Sequence, residues 1–200
     1  AMSLMVQSDM ATPIISELGT REQKEEFLIP ALRGEKIAAL GVSEPNAGSD
    51  LANVQTRAER VGDEWVVNGQ KTWTSHAHHA DWAFVLCRTN PAASPKHRGL
   101  SYLLVPMRQQ GVTVRPIQQI TATSEFNEVF FDGAHARAEH VVGAEGQGWR
   151  VAMSLLGFER GVSTLAQQIG FAQELTRVVR TAVRTGAADD SFFGEVADEA

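Results

Sequence analysis

Three short stretches carry residue types suited to chemistry. The first is Leu40-Gly41-Val42-Ser43-Glu44-Pro45-Asn46-Ala47-Gly48-Ser49-Asp50, directly after an apolar run. Gly48 permits an unusual backbone turn, and successive free N–H groups there can form a nest for an anion. Ser43 and Ser49 add hydroxyls, so the loop can hold a pyrophosphate or the polar edge of a ring. The same residues also suit a plain Pro-Asn turn capped by Ser and Asp. The second stretch is Gly69-Gln70-Lys71-Thr72-Trp73-Thr74-Ser75. On a strand, Trp73 and Ser75 share a face. There an indole can stack on a flat cofactor while the hydroxyl bonds its edge; a core Trp beside a solvated Ser fits the pattern too. The third is Phe158-Glu159-Arg160-Gly161. Glu159 lies one residue past an apolar helix position. A partly desolvated carboxylate there would have a raised pKa, useful for a general base. Arg160 suits a phosphate or carboxylate partner. The pair also suits a solvated surface.

Two further clusters are weaker. His76-Ala77-His78-His79 resembles a metal-binding run, but apart from nearby Asp81 it has no well-spaced partner, and reads as a solvated loop. Lys96-His97-Arg98 is a small basic group in a loop, of the kind that touches a phosphorylated substrate or is simply solvated.

The elements that must position these residues fall into three zones. Residues 1–35 read as helix. Thr20 caps, Gln23 occupies the capping-box position, and Phe27, Leu28, Ala31 and Leu32 form a stripe. Pro30 kinks that stripe or starts a second short turn, and Gly34 stops it. The next zone, to residue 132, reads as strands. They are Ile37–Val42, Val54–Val61, Glu64–Val67, Gln70–Ser75, Trp82–Arg88, Leu100–Pro106, Val112–Ile117 and Glu125–Phe131. Asn68-Gly69 predicts a hairpin turn between the third and fourth, because both residues tolerate positive φ. No alternation of strand and helix is visible, which disfavours a dinucleotide-binding α/β fold. Short strands with frequent turns predict an antiparallel barrel or sandwich. Residues 148–184 read as one long helix. Val151, Leu155, Phe158, Val162, Leu165 and Ile169 form an apolar stripe that needs other helices to cover it. The acidic tail from Gly186 reads as loose.

Composition narrows the function classes. The chain has 200 residues, 43% hydrophobic and 21% charged, enough for a packed core. Its 18 Lys plus Arg against 24 Asp plus Glu give a net charge of −6, which disfavours nucleic acid as a partner. Cys87 is the single cysteine, so neither an internal disulfide nor a Cys-based zinc site is possible, and no metal is expected. No apolar run reaches the ~18 residues of a membrane span. The opening AMSLMVQSDM lacks a signal-peptide pattern. The expected compartment is the cytoplasm.

Taken in order, LGVSEPNAGSDL, VVNGQKTWTSHAHHADWAFVL, RGLSYLLVP, SEFNEVFFD, VVGAEGQGW and LLGFERG resemble the acyl-CoA dehydrogenase family, collinearly over nearly residues 10–183. The resemblance implies an α+β fold: a middle antiparallel β-barrel or sandwich domain flanked by helical segments. Residues 1–35 would end the N-terminal helical domain, 36–142 would form the β-domain, and 143–200 would begin an incomplete C-terminal helical bundle. The cofactor implied is FAD. By motif position, Leu40, Val42 and Ser43 would line the flavin ring, and Gly48 and Ser49 would hold its ribityl-pyrophosphate side. Trp73, Thr74 and Ser75 would flank it. Ser75 stands where a Thr is usual, and Leu40 replaces an aromatic of some members. Glu159 would be the base that removes the α-proton of an acyl thioester, and Arg160 would contact the CoA portion, with Ser49 close to the acyl-CoA. The family places its base either on this helix or on a later loop.

The partners implied are acyl-CoA, an electron-transfer flavoprotein or similar acceptor, and further subunits in a homo- or hetero-oligomer, commonly a tetramer. Two other readings stand beside dehydrogenation. One is a non-catalytic or hetero-oligomeric subunit that needs a partner to bind FAD. The other is a relative that passes electrons to oxygen.

Overall fold

A computed structural model describes Gln7 and residues 11–187, with side chains 159–166 outside that set. It divides into two units, one ending at Glu159 and the other beginning at Arg160.

The N-terminal part of the first unit is helical. Helix α1 spans Pro13–Leu18. Helix α2, Arg21–Gln23, starts in the expected capping box: the Gln23 N–H donates to Thr20 Oγ1, and the Thr20 N–H donates to Gln23 Oε1. It widens into a π-helical turn at Lys24–Leu28 before α3, Ile29–Leu32, which holds Pro30 in its first turn. Proline removes an intrahelical donor, and the change of helix type accommodates the break. The Gln23 side-chain amide donates to the carbonyls of Glu139 and Val141, tying this corner to the sheet.

Seven strands follow: β1 Ala38–Gly41, β2 Arg57–Val61, β3 Glu64–Ser75, β4 Trp82–Arg88, β5 Leu100–Pro106, β6 Val112–Pro116 and β7 Phe126–Arg137. They form one sheet in the order β1-β4-β2-β3-β7-β6, with β5 on β4. Most pairs are antiparallel, but β1 runs parallel to β4, so the sheet is mixed. β5 occupies one edge of β4 along its whole length. β1 and β2 therefore share the other edge, β1 against Trp82–Val85 and β2 touching at Arg88.

Alternation along β4 divides the interior. Trp82, Phe84 and Leu86 enter one apolar core with Ile14, Ile15, Phe27, Leu100, Tyr102 and Leu104. Ala83, Val85 and Cys87 enter a second core with Trp65, Val67, Leu103 and Phe131. Phe27 meets Trp82 edge-on at 5.2 Å, docking the helical corner on the first core.

One expectation is corrected. Asn68-Gly69 is not a hairpin turn; β3 continues straight through it. Gly69 has φ 148°, and a Cβ there would lie 2.6 Å from Thr56, so glycine serves close strand packing. The register against β7 shifts at Val67/Asn68, and Asn68 Oδ1 accepts from the Gly133 N–H. The local sequence signal is absorbed as a bulge because β3 has partners on both edges.

The long helix α4 spans Gly148–Thr185, as expected. Val151 and Leu155 are buried in the first core and Phe158 packs partly against it. In the second unit Ile169, Phe171, Leu175, Val178 and Val183 are exposed. Of the tail expected to be loose, residues 188–200 lie outside the described residues.

Candidate active site

β1 delivers the Val42–Asp50 loop. Glu44 and Ala47 exchange backbone hydrogen bonds of 3.0 and 3.1 Å, closing a turn over Pro45-Asn46. Ala47 anchors it in the core, while Gly48, Ser49 and Asp50 face outward. Gly48 does not adopt a left-handed conformation, contrary to the expected unusual turn. A Cβ there would meet nothing within 4 Å, so the surface beside Gly48 is open. Leu40 and Val42 are partly buried against the first core, and Ser43 is half-buried.

The second stretch ends β3 and is locally strained. Trp73 sits in the left-handed region at φ 59°, where the register against β7 shifts between Lys71 and Thr74. Such a conformation costs an L-residue about 1–2 kcal/mol. It turns the indole outward, 59% exposed, in an edge-to-face contact with Phe126 at 6.0 Å. Thr74 is fully buried and, among the described residues, its Oγ1 has no hydrogen-bond partner, so its side chain points into the protein. Its carbonyl accepts from buried Asn127 at 2.9 Å. Ser75 is half-buried and pairs with Phe126 across the strands.

The two stretches are joined by contacts that the motif reading missed. The Thr72 N–H donates to Ser43 O at 2.9 Å. Lys71 Nζ donates to Val42 O at 3.0 Å and to Glu44 Oε1 at 2.8 Å, with its side chain wholly buried. Glu44 also accepts from the N–H groups of Gln55, at 2.6 Å, and Thr56, at 2.9 Å. Burial alone would raise the Glu44 carboxyl; the Lys71 ammonium and these donors outweigh it and hold it below the usual range. Burial pulls the Lys71 ammonium down, opposed by Glu44. A sequence signal for this pair existed. Trp65, Val67 and Lys71 fall on one period-2 face of β3, and a lysine on a core-facing row needs a counter-charge.

The Val42–Glu44 segment is thus tied to β3 at Lys71 and Thr72, directly before Trp73, while Leu40 lies in β1 opposite Phe84. Among the described residues, the hydroxyls of Ser43, Ser49 and Ser75 form no hydrogen bond. Glu159 and Arg160 lie on α4, and their side chains are outside the described residues. His78 Nδ1 is 3.0 Å from Asn127 Oδ1. Because the Asn127 amide nitrogen donates to two carbonyls, its oxygen accepts and His78 donates. Among the described residues no group of three His, Cys, Asp or Glu is placed to hold a metal ion.

An outward indole, free hydroxyls and open space at Gly48 fit a flat polar cofactor such as a flavin. Residues 39–134 match the family model described as acyl-CoA dehydrogenase, middle domain. The chain is 55% identical over 197 residues to acyl-CoA dehydrogenase IpdE1 of Mycolicibacterium smegmatis, covering 94% of this chain and 50% of that protein. Among solved structures it resembles the Tcur3481-Tcur3483 steroid ACAD, with 34% identity, a TM-score of 0.82, and 94% of this chain against 48% of that one. It also resembles the ChsE4-ChsE5 complex from Mycobacterium tuberculosis, with 37% identity, a TM-score of 0.69, and 78% against 39%. The chain spans about half the length of the curated relatives it matches. The collinear motifs, the mixed sheet and these similarities together mean that the chain belongs to the acyl-CoA dehydrogenase family and carries its middle domain.

Proposed function

We propose that this chain serves in the FAD-dependent α,β-dehydrogenation of an acyl-CoA thioester. The observation that carries the proposal is the strained, outward Trp73, hydrogen-bonded through its strand to the Ser43 loop. A left-handed, mostly exposed Trp contributes little to a core; backbone strain of this kind concentrates at ligand sites.

In this reading Leu40, Val42 and Ser43 line the flavin ring, and Trp73, Thr74 and Ser75 flank it. The buried Thr74 side chain limits that residue to its backbone groups. Gly48 and Ser49 hold the pyrophosphate side, with Ser49 near the acyl-CoA. Glu159 removes the α-proton, a weak acid that needs a base with a pKa near neutrality. Such a base needs a dry, apolar surrounding that raises its carboxyl. Arg160 binds the CoA portion. FAD, when bound, supplies the acceptor for the hydride that leaves the β-carbon. Residues 1–35, 36–142 and 143–200 are taken as the helical, β and helical parts of the subunit. An electron-transfer flavoprotein or similar carrier is the acceptor, and the compartment is cytoplasmic.

A second reading is a subunit that acts only with a partner. The exposed apolar residues of α4 favour it, as do the two-protein names of two structural relatives. The test is anaerobic titration of the FAD-loaded protein, alone and with a candidate partner, with acyl-CoA. Bleaching of the flavin band by the chain alone supports the first reading. Bleaching only with a partner supports the second, and a protein that takes up no flavin in either state overturns both.

A further inference from the structure

The buried Lys71–Glu44 pair has no place in the chemistry above, yet it sits where the two cofactor stretches meet. We propose that Lys71 is a positioning residue that fixes the Val42–Ser43 backbone against the Trp73 turn. The inference rests on the flavin reading and deepens it.

The geometry is a three-way tie. Lys71 grips the loop twice, at the Val42 carbonyl and the Glu44 carboxylate. Its neighbour Thr72 grips the loop a third time, at the Ser43 carbonyl. Directly beyond, the strand shifts register and Trp73 turns left-handed. Glu44 carries the tie onward to the Gln55 and Thr56 amides, which precede β2. One ammonium therefore sets the separation between the residues assigned to line the ring and those assigned to flank it.

Stability alone does not account for the pair. Both side chains are almost wholly out of water, and a buried ion pair is often no more stabilising than apolar residues of the same volume. What it supplies is direction: a charged donor meets two named oxygens, and an apolar side chain would leave the loop free to slide.

The test compares the unsubstituted protein with the double variant Glu44→Gln, Lys71→Met. The double variant removes both charges at nearly unchanged volume and keeps one acceptor oxygen where Glu44 offers one each to the Gln55 and Thr56 amides. FAD affinity and the fluorescence of flavin at saturation are measured beside the thermal midpoint. The expected result is a midpoint within a few degrees, an FAD Kd weaker by about tenfold or more, and brighter bound flavin as the indole moves away. An unchanged Kd and unchanged fluorescence in a folded double variant overturn the positioning role while leaving the flavin reading intact. If the unsubstituted protein binds no FAD, the flavin reading fails first and takes this inference with it. If the double variant does not fold, the near-isosteric Glu44→Gln decides by the same readouts: weaker FAD binding upholds the role and unchanged binding overturns it.

Discussion

The Thr72 N–H donates to Ser43 O at 2.9 Å, one residue before the backbone turns left-handed at Trp73. This bond joins a loop that leaves β1 to the far end of β3, strands that are not paired with each other in the sheet. The site is therefore assembled by a side contact between strand and loop.

Trp73→Gly separates stability from binding. Glycine adopts φ 59° without strain but gives the unfolded chain more freedom, so the two effects offset each other. The expected midpoint corresponds to within about 1 kcal/mol of the unsubstituted protein. Loss of the stacking surface weakens FAD by about tenfold. Calorimetry and flavin titration on one preparation check both.

Gly48→Ala and Gly148→Ala should behave oppositely. At Gly48 the added methyl meets nothing, so the fold is unaffected and any loss is in FAD affinity. At Gly148 it would lie 2.5 Å from the Ser101 backbone, where α4 starts against β5, and overpacking of this kind costs about 1–3 kcal/mol. Urea midpoints of the two variants measure the contrast.

Glu159→Gln keeps shape and removes the proton acceptor. Turnover should fall about a hundredfold or more while acyl-CoA binding persists. Stopped-flow reduction of bound flavin reports the loss, and full turnover would move the base elsewhere.

Acid should act through Glu44. Its folded pKa lies below the ordinary 4.5, so its contribution is fully present above that value and is lost as pH falls through the lower folded one. Glu44→Gln should flatten the acid limb of a stability-against-pH curve, as measured by urea unfolding from about pH 5 to pH 3.

Alkali should act through Cys87. Burial pushes its thiol from 9.0 up to about 12, so above pH 9 the unfolded chain releases a proton that the folded chain retains, and stability falls as pH rises. The same burial predicts no reaction with a disulfide reagent until denaturant is added.

Most of the fold was legible because its signals are local. The capping box at Thr20 and Gln23, the apolar runs of β4 and β5, and the period of α4 each depend on a few neighbouring residues. What failed was non-local. Asn68-Gly69 carries a turn signature, but pairing with β2 and β7 on either side overrode it. The strand Phe126–Arg137 runs beyond its apolar part because β3 pairs with it from Phe126 to Arg137, skipping only Glu128 and Gly133 at the two register shifts. At the site, the motif stretches were visible. Lys71, Glu44 and Asn127 were not singled out, since their roles exist only once a loop and two strands meet.

The two faces of β4 carry a further consequence for how this sequence tolerates change. Large side chains, Trp82, Phe84 and Leu86, go one way; small ones, Ala83, Val85 and Cys87, go the other. A single-residue insertion ahead of Trp82 would exchange the sets, driving an indole and a phenyl ring into room made for methyl groups and a thiol. Length changes in this region should therefore be confined to the far ends of the ribbon, where the Thr89–Arg98 connection can absorb them.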